Sequence, residues 1–231
     1  MGEKTAANLR PVWGSWEPGT VAVMRRLVRP GATVFDVGAH IGYYTTLLSE
    51  LVGPTGSVHA FEPHPGNREV LARNTRELDN VTIVPAAVSH QIERRSLHFS
   101  SNSGRHSLFR SKFTSPVGAA TDVDCVTLDS YWESIGRPRT DLIKIDVEGA
   151  EASAVSGATE LLGTTRGISV VSEYYPANLR AAGQEPHEFL DRLARLGLTV
   201  QTILDDGTLR PGIPELSGED YVNVLLSHDQ A

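Results

Sequence analysis

Along this chain the apolar residues change rhythm repeatedly, from short unbroken runs to spacings of three and four, which separates predicted strands from predicted helices. Glu17-Pro18-Gly19 opens a helix, with proline where its missing N–H costs nothing. Val21, Met24, Leu27 and Val28 form the apolar stripe of that helix, and Pro30-Gly31 stops it. Thr33–Val37 is a first strand ending at Gly38, followed by a helix carrying Ile41, Thr45, Leu48, Leu51 and Val52. Ser57–Phe61 is a second strand closing at Glu62-Pro63, and residues 66–78 form a helix with Val70, Leu71, Asn74 and Leu78 on one side. Val81–Val88 is a third strand that Pro85 ends or bulges early.

The alternation breaks over residues 93–131, where two strand-like pieces, Arg95–Ser100 and Val123–Leu128, flank a loop rich in Ser, Gly and Arg. It resumes with Asp141–Asp146 and a helix carrying Ala154, Val155, Ala158, Leu161 and Leu162, with Gly163 as its C-terminal cap. A fifth strand at Ile168–Val171 and a helix over residues 186–196 follow. The last strands, Leu198–Leu204 and Tyr221–Leu226, flank the turn residues Asp205-Asp206-Gly207. Strands alternating with helices predict one doubly wound α/β domain over residues 1–231. Its seven-stranded sheet is mostly parallel and ends on an antiparallel C-terminal edge hairpin. Residues 1–30 form an N-terminal arm and helix, and Trp13 and Trp16 in that arm are expected to dock, because leaving two indoles in water is costly.

Composition narrows the class. Hydrophobic residues make up 40 % and charged residues 21 % of the 231, a globular balance. The net charge of −7 is unevenly spread: 12 Lys/Arg stand against 9 Asp/Glu in residues 1–110, and 9 against 19 afterwards. Such a chain is a poor match for a nucleic-acid backbone. The single cysteine, Cys125, excludes an intramolecular disulfide framework and a Cys-rich zinc module, and within an alternating strand it is expected to pack as a small apolar residue. No apolar leader and no bilayer-spanning run is present, so the expectation is a soluble, cytoplasmic protein without membrane contact. Its oligomeric state is left open.

In doubly wound sheets ligands bind beyond the carboxyl ends of the strands, so the residues just after each strand carry the chemistry. After the first strand comes Asp36-Val37-Gly38-Ala39-His40-Ile41-Gly42, in which Gly38 and Gly42 let the backbone turn sharply. Asp36 stands where the dinucleotide fingerprint has its first glycine. A carboxylate there repels a pyrophosphate and suits a cation such as the amino end of S-adenosylmethionine; the bland alternative is a strand-to-helix turn with a capping Asp. Glu62, followed by Pro63, is placed to accept hydrogen bonds from both hydroxyls of a ribose. Lys144 and Asp146 share one face of their strand, and Asp146 points into the cleft. Glu148 and Glu151 read equally as acids on the first turn of the next helix, favoured by its dipole.

The runs Val34-Phe35-Asp36-Val37-Gly38-Ala39-His40-Ile41-Gly42-Tyr43-Tyr44-Thr45, Ala60-Phe61-Glu62-Pro63 and Asp141-Leu142-Ile143-Lys144-Ile145-Asp146-Val147-Glu148-Gly149-Ala150-Glu151 resemble the FkbM family of class I S-adenosylmethionine-dependent methyltransferases. The likeness runs from about Glu17 to about Pro176, with His40 where the family more often has Asn. It implies a Rossmann-like class I methyltransferase fold and O-methylation of a hydroxyl on a small molecule such as a sugar or polyketide, with S-adenosylhomocysteine as product. Asp36, Gly38, Ala39, His40, Gly42, Glu62 and Pro63 are the expected cofactor residues, and Lys144 and Glu148 the expected substrate contacts. Asp146 is the first candidate for the group that takes or orients the hydroxyl proton, with His106 in the 93–131 insertion and Glu173 at the end of the fifth strand behind it. Asp146 with Glu173 would make a thin site for a divalent ion, and no metal ligands are assigned. The insertion and the tryptophan arm are expected to border the acceptor side of the cleft. A nicotinamide-dependent oxidoreductase and a non-catalytic cofactor-binding protein are the competing readings.

Overall fold

Proline and an open stretch of backbone start the first helix where the sequence places it: α1 (Pro18–Leu27) begins at Pro18 and buries Val21, Val23 and Met24. The computed structural model describes residues 16–100, 103–110 and 120–228, so Trp13 lies outside the described residues. The Trp16 side chain is not buried against the described residues, 63 % of its surface being exposed. From α1 the chain runs β1 (Thr33–Val37), α2 (Tyr43–Val52), β2 (Ser57–Phe61), α3 (Pro65–Thr75) and β3 (Val81–Val84). After β4 (Ala87–Val88), β5 (Glu93–His98) and β6 (Ala120–Val126) come α4 (Leu128–Ser134) and β7 (Leu142–Ile145). The remaining elements are α5 (Glu151–Ser156), α6 (Thr159–Thr164), β8 (Ser169–Tyr174), α7 (Pro176–Ala181), α8 (Pro186–Arg195), β9 (Leu198–Ile203), β10 (Leu209–Pro211) and β11 (Val222–His228). No helix among the described residues is long and apolar enough to cross a membrane.

The main sheet has the order β10-β9-β11-β8-β7-β1-β2-β3. Strands β1, β2, β3, β7 and β8 pair in parallel, and β11 runs antiparallel to both β8 and β9. Alternate residues face opposite sides of the sheet. Phe35, Ile143, Ile145 and Val170 pack on one side with Trp132, Val155, Leu161 and Phe189. Val34, Leu142 and Val171 pack on the other with Met24, Leu47 and Leu48. The order turns back between β1 and β7, which sets the ligand crevice at their carboxyl ends.

The structure departs from the sequence reading in several places, among them the following. The predicted third strand divides: the Ala86 N–H donates to the Val84 carbonyl (2.9 Å) in a tight turn at Pro85, and β4 leaves for a separate sheet of order β4-β6-β5. The strand-like run through Leu128 ends at Val126, because Thr127 caps α4 by accepting the Ser130 N–H at 3.0 Å. The single helix expected after Asp146 is two short ones, α5 and α6, parted at Gly157; Gly163 lies inside α6 and does not cap it. The edge hairpin joins β9 to the short β10, an eighth strand, while β11 inserts between β8 and β9. Cys125 is buried in β6 as expected.

A Cβ at Gly157 would stand 2.1 Å from the Ser89 carbonyl oxygen, whereas one at Gly163 meets nothing within 4 Å. Gly157→Ala is therefore expected to cost about 1–3 kcal/mol by overpacking, and Gly163→Ala, in a helical backbone, to add about 0.4–1 kcal/mol. Thermal unfolding of the two variants checks this. Equal shifts in Tm would remove the close Ser89 approach as the reason for the break.

Candidate active site

The end of β1 is tied to its two neighbours through backbone. Gly38 has φ 84°, and a Cβ there would lie 1.9 Å from the Asp146 carbonyl oxygen, so only glycine lets the ends of β1 and β7 come this close. The Asp146 N–H donates to the Val37 carbonyl (3.0 Å), and the N–H groups of Gly38 and Ala39 both donate to the Phe61 carbonyl at the end of β2 (3.0 Å each). Glu62 then locks the turn. One carboxylate oxygen accepts the His40 N–H (2.8 Å), and the other accepts the His64 N–H (2.8 Å) and the Asn67 side-chain amide (3.4 Å). Burial nonetheless raises the Glu62 pKa, these hydrogen bonds acting in the opposite direction.

These strand ends floor a narrow cavity of about 60 Å³. Gly38, His40, Glu62, Pro63, Asp146 and Glu148 give it a polar wall, and Ala87, Leu97 and Leu108 an apolar wall built from the small sheet and the segment after β5. His106 also lines it. Asp36, Ala39, Gly42, Lys144 and Glu173 do not line this cavity. Ala39 is buried behind the turn, and Gly42, at φ 93°, caps the start of α2 against Leu71. Asp36 is fully buried beneath the turn, where one oxygen accepts the Thr45 hydroxyl (2.6 Å) and the other has no hydrogen-bond partner among the described residues. Lys144 is likewise buried. It donates to Asp146 Oδ2 at 3.0 Å with its ammonium 4.8 Å from the Tyr44 ring centre, which places it behind Asp146 and off the cavity wall.

Charge is the dominant feature of the crevice. Burial alone would lower the Lys144 pKa, but the Asp146 and Asp36 carboxylates outweigh it and hold the ammonium charged. Burial pushes Asp36 up. Glu148, at φ 51° in the turn before α5 and not on the helix, is pushed up to about 7 by burial and by Asp146 and Glu151. Glu151, the first residue of α5, is also pushed up to about 7 by burial, although it accepts the N–H groups of Val147 (3.1 Å) and Gly149 (3.0 Å). Glu173 is raised well above the carboxylate range by burial and by Asp146, Glu151 and Glu148, and its Oε2 is buried without a hydrogen-bond partner.

His106 is not the ready base that the sequence offers. Its ring packs against His64 (centroids 4.4 Å apart) and Phe99 (5.2 Å), and burial lowers its pKa to about 4. Its Nδ1 accepts the Ser100 N–H at 3.0 Å, which leaves Nε2 as a donor in the neutral ring. Sequence reasoning missed Glu17 and Tyr44, whose hydroxyl donates to Glu17 Oε2 at 2.6 Å, and Ser107, whose hydroxyl donates to the Glu148 carbonyl at 2.7 Å. The available signal was position: Tyr44 and Thr45 stand on the first turn of α2, directly after the glycine turn.

Comparison with known proteins agrees with this geometry. The methyltransferase FkbM domain matches residues 36–198. The chain belongs to the FkbM methyltransferase family. The 2-O-methyltransferase NoeI of Sinorhizobium fredii is 26% identical over 196 residues, covering 78% of each chain. Among solved structures, an rRNA methylase from Streptococcus thermophilus superposes with a TM-score of 0.54 at 12% identity, over 91% of this chain and 95% of that one. Aeropyrum pernix fibrillarin with natively bound S-adenosyl-L-methionine gives 0.54 at 11% identity, over 90% and 73%. These likenesses show the fold, that of class I S-adenosylmethionine methyltransferases.

In this FkbM-family protein the raised carboxyls set a pH dependence of stability. A carboxyl whose folded pKa lies above its unfolded value stabilises fully below the unfolded value and loses that contribution as pH rises through the folded one. For Glu151 that window runs from 4.5 to about 7. Calorimetric Tm profiles of wild type and Glu151→Gln are expected to move apart in favour of the variant across this window and to stay parallel above it. Profiles parallel throughout would show that Glu151 titrates normally.

Proposed function

We propose that this protein transfers a methyl group from S-adenosylmethionine to a hydroxyl oxygen of a small molecule. The observation that carries the reading is the two-walled cavity, with Glu62 at the tip of β2 and Asp146 at the tip of β7 facing the apolar wall of Ala87, Leu97 and Leu108. The residues present fit the cofactor. Glu62 accepts ribose hydroxyls, the apolar wall takes the flat base, and the excess of carboxylates around Asp146 suits a ligand with two positive centres. When bound, S-adenosylmethionine supplies a methyl group made electrophilic by its sulfonium.

The remaining work falls to the chain. Asp36 and Thr45 hold the glycine turn from beneath. Lys144 fixes the Asp146 carboxylate, leaving its second oxygen to accept the proton of an acceptor hydroxyl and hold that oxygen in line. The family relative NoeI is named a 2-O-methyltransferase, which supports oxygen as the acceptor atom. The loss of a charge-assisted hydrogen bond costs about 1.5–3 kcal/mol, so Glu62→Gln is expected to weaken S-adenosylhomocysteine binding roughly 10–100-fold by calorimetry. Unchanged affinity would place the ribose elsewhere.

Asp146→Asn keeps an oxygen for Lys144 and removes the proton acceptor. Methyl transfer from labelled cofactor, scored on a panel of hydroxylated metabolites, is expected to fall by about 10²-fold or more while cofactor affinity is retained. Near-normal turnover would reduce Asp146 to a support for the turn.

A further inference from the structure

The cavity at the strand ends is roofed by its own chain. Residues 104–109 cross from the end of β2 to the end of β7, and Gly104, His106 and Leu108 line the cavity from that side. The room left beneath them is about 60 Å³, against the ~300–1,000 Å³ typical of a small-molecule pocket. A ligand as large as a nucleoside therefore enters only if one wall moves. The floor is fixed, because the N–H groups of Gly38 and Asp146 are bonded to the carbonyls that end β2 and β1.

The roof is held differently. It meets the end of β5 in one isolated backbone pair, in which the His98 N–H donates to the Ser107 carbonyl (2.8 Å) and the Ser107 N–H to the His98 carbonyl (3.1 Å). Over the cavity its anchors are side chains, one at each end. The His106 ring rests on His64, two residues beyond Glu62, with ring centres 4.4 Å apart. At the other end the buried Ser107 hydroxyl donates to the Glu148 carbonyl (2.7 Å) while accepting the Phe109 N–H (3.1 Å). Glu148 has φ 51°, a left-handed conformation uncommon outside glycine, which persists only while its surroundings hold it. Segments tied by so few backbone bonds open locally with the rest of the fold intact.

We propose that residues 104–109 are a strap that must lift for a ligand to enter or leave the cavity, and that the Ser107–Glu148 bond is its latch. The inference rests on the proposed methyl-transfer reading only for the identity of the ligand, S-adenosylmethionine or its product. The latch closes on the turn that follows Asp146, so covering the cavity and fixing that turn are one event. Such closure keeps water from the reacting groups.

Association and dissociation of S-adenosylhomocysteine are measured by surface plasmon resonance on the full chain, alongside hydrogen exchange of the strap amides without ligand. In Ser107→Ala both rates are expected to rise roughly three- to tenfold, the scale of one lost neutral hydrogen bond, while the dissociation constant changes little. Ser107→Thr, which retains the hydroxyl, is expected to keep both rates near those of wild type. His106→Ala loosens the other anchor, is expected to speed both rates as well, and guards against misfolding of the buried Ser107 variant. Without ligand, the amides of residues 106–109 and of Gly149 and Ala150 are expected to exchange faster together in Ser107→Ala than in wild type. Unchanged binding rates in both alanine variants overturn the strap. Faster dissociation alone, with a matching loss of affinity, makes Ser107 a plain ligand support and also overturns it. If the wild type does not bind S-adenosylhomocysteine, the methyl-transfer reading fails and exchange decides the latch: coupled acceleration upholds it, and unchanged exchange overturns it.

Discussion

A single buried ammonium holds the crevice together. Lys144 lies in the middle of the sheet with Asp36 opposite it on β1 and Asp146 two residues ahead on its own strand. Removing one member of such a buried set typically costs about 3–5 kcal/mol, because the remaining charge is left without compensation; here the partial exposure of Asp146 moderates the figure. The position of Asp146 follows from this pair, and from Asp146 follow the close approach of Gly38 and the floor of the cavity. The site therefore depends on charges that the ligand does not touch. Thr45 and Tyr44, delivered by the first turn of α2, complete the arrangement by bonding Asp36 and by facing the ammonium with a ring.

The uneven charge of the chain acquires a place in this picture. Glu148, Glu151, Glu173 and Glu219 all come from the acidic second half of the sequence, and the first three crowd around Asp146. Their pKa values are raised because the protein buries them together at the open end of the sheet. Such a concentration of carboxylates is costly to stability, and it prepares a crevice that attracts positive charge.

Much of the fold was legible in the sequence where its cause is local. The bounds of β1 and β2 follow from short, mostly apolar runs closed by Gly38 and Glu62. The start of α1 follows from Pro18. What was not legible has distant causes: the break between α5 and α6 is dictated by the Ser89 carbonyl, and the insertion of β11 between β8 and β9 is a choice of partner that no local pattern encodes. The site divides in the same way. Glu62 and Asp146 were readable because strand ends face the crevice, whereas the burial of Asp36 and Lys144 below it depends on how α2 packs. The weak basicity of His106 depends on a ring stack with His64 and Phe99.

The proposed function stands or falls with a cofactor site at the ends of β1, β2 and β7. The most direct measurement is a crystal structure of this protein grown with S-adenosylhomocysteine. Density is expected in the cavity between Glu62 and the Leu97–Leu108 wall, with the ribose against the Glu62 carboxylate and the sulfur toward Asp146. Density in another opening, or a complex in which Glu62 makes no contact with the ribose, would contradict it.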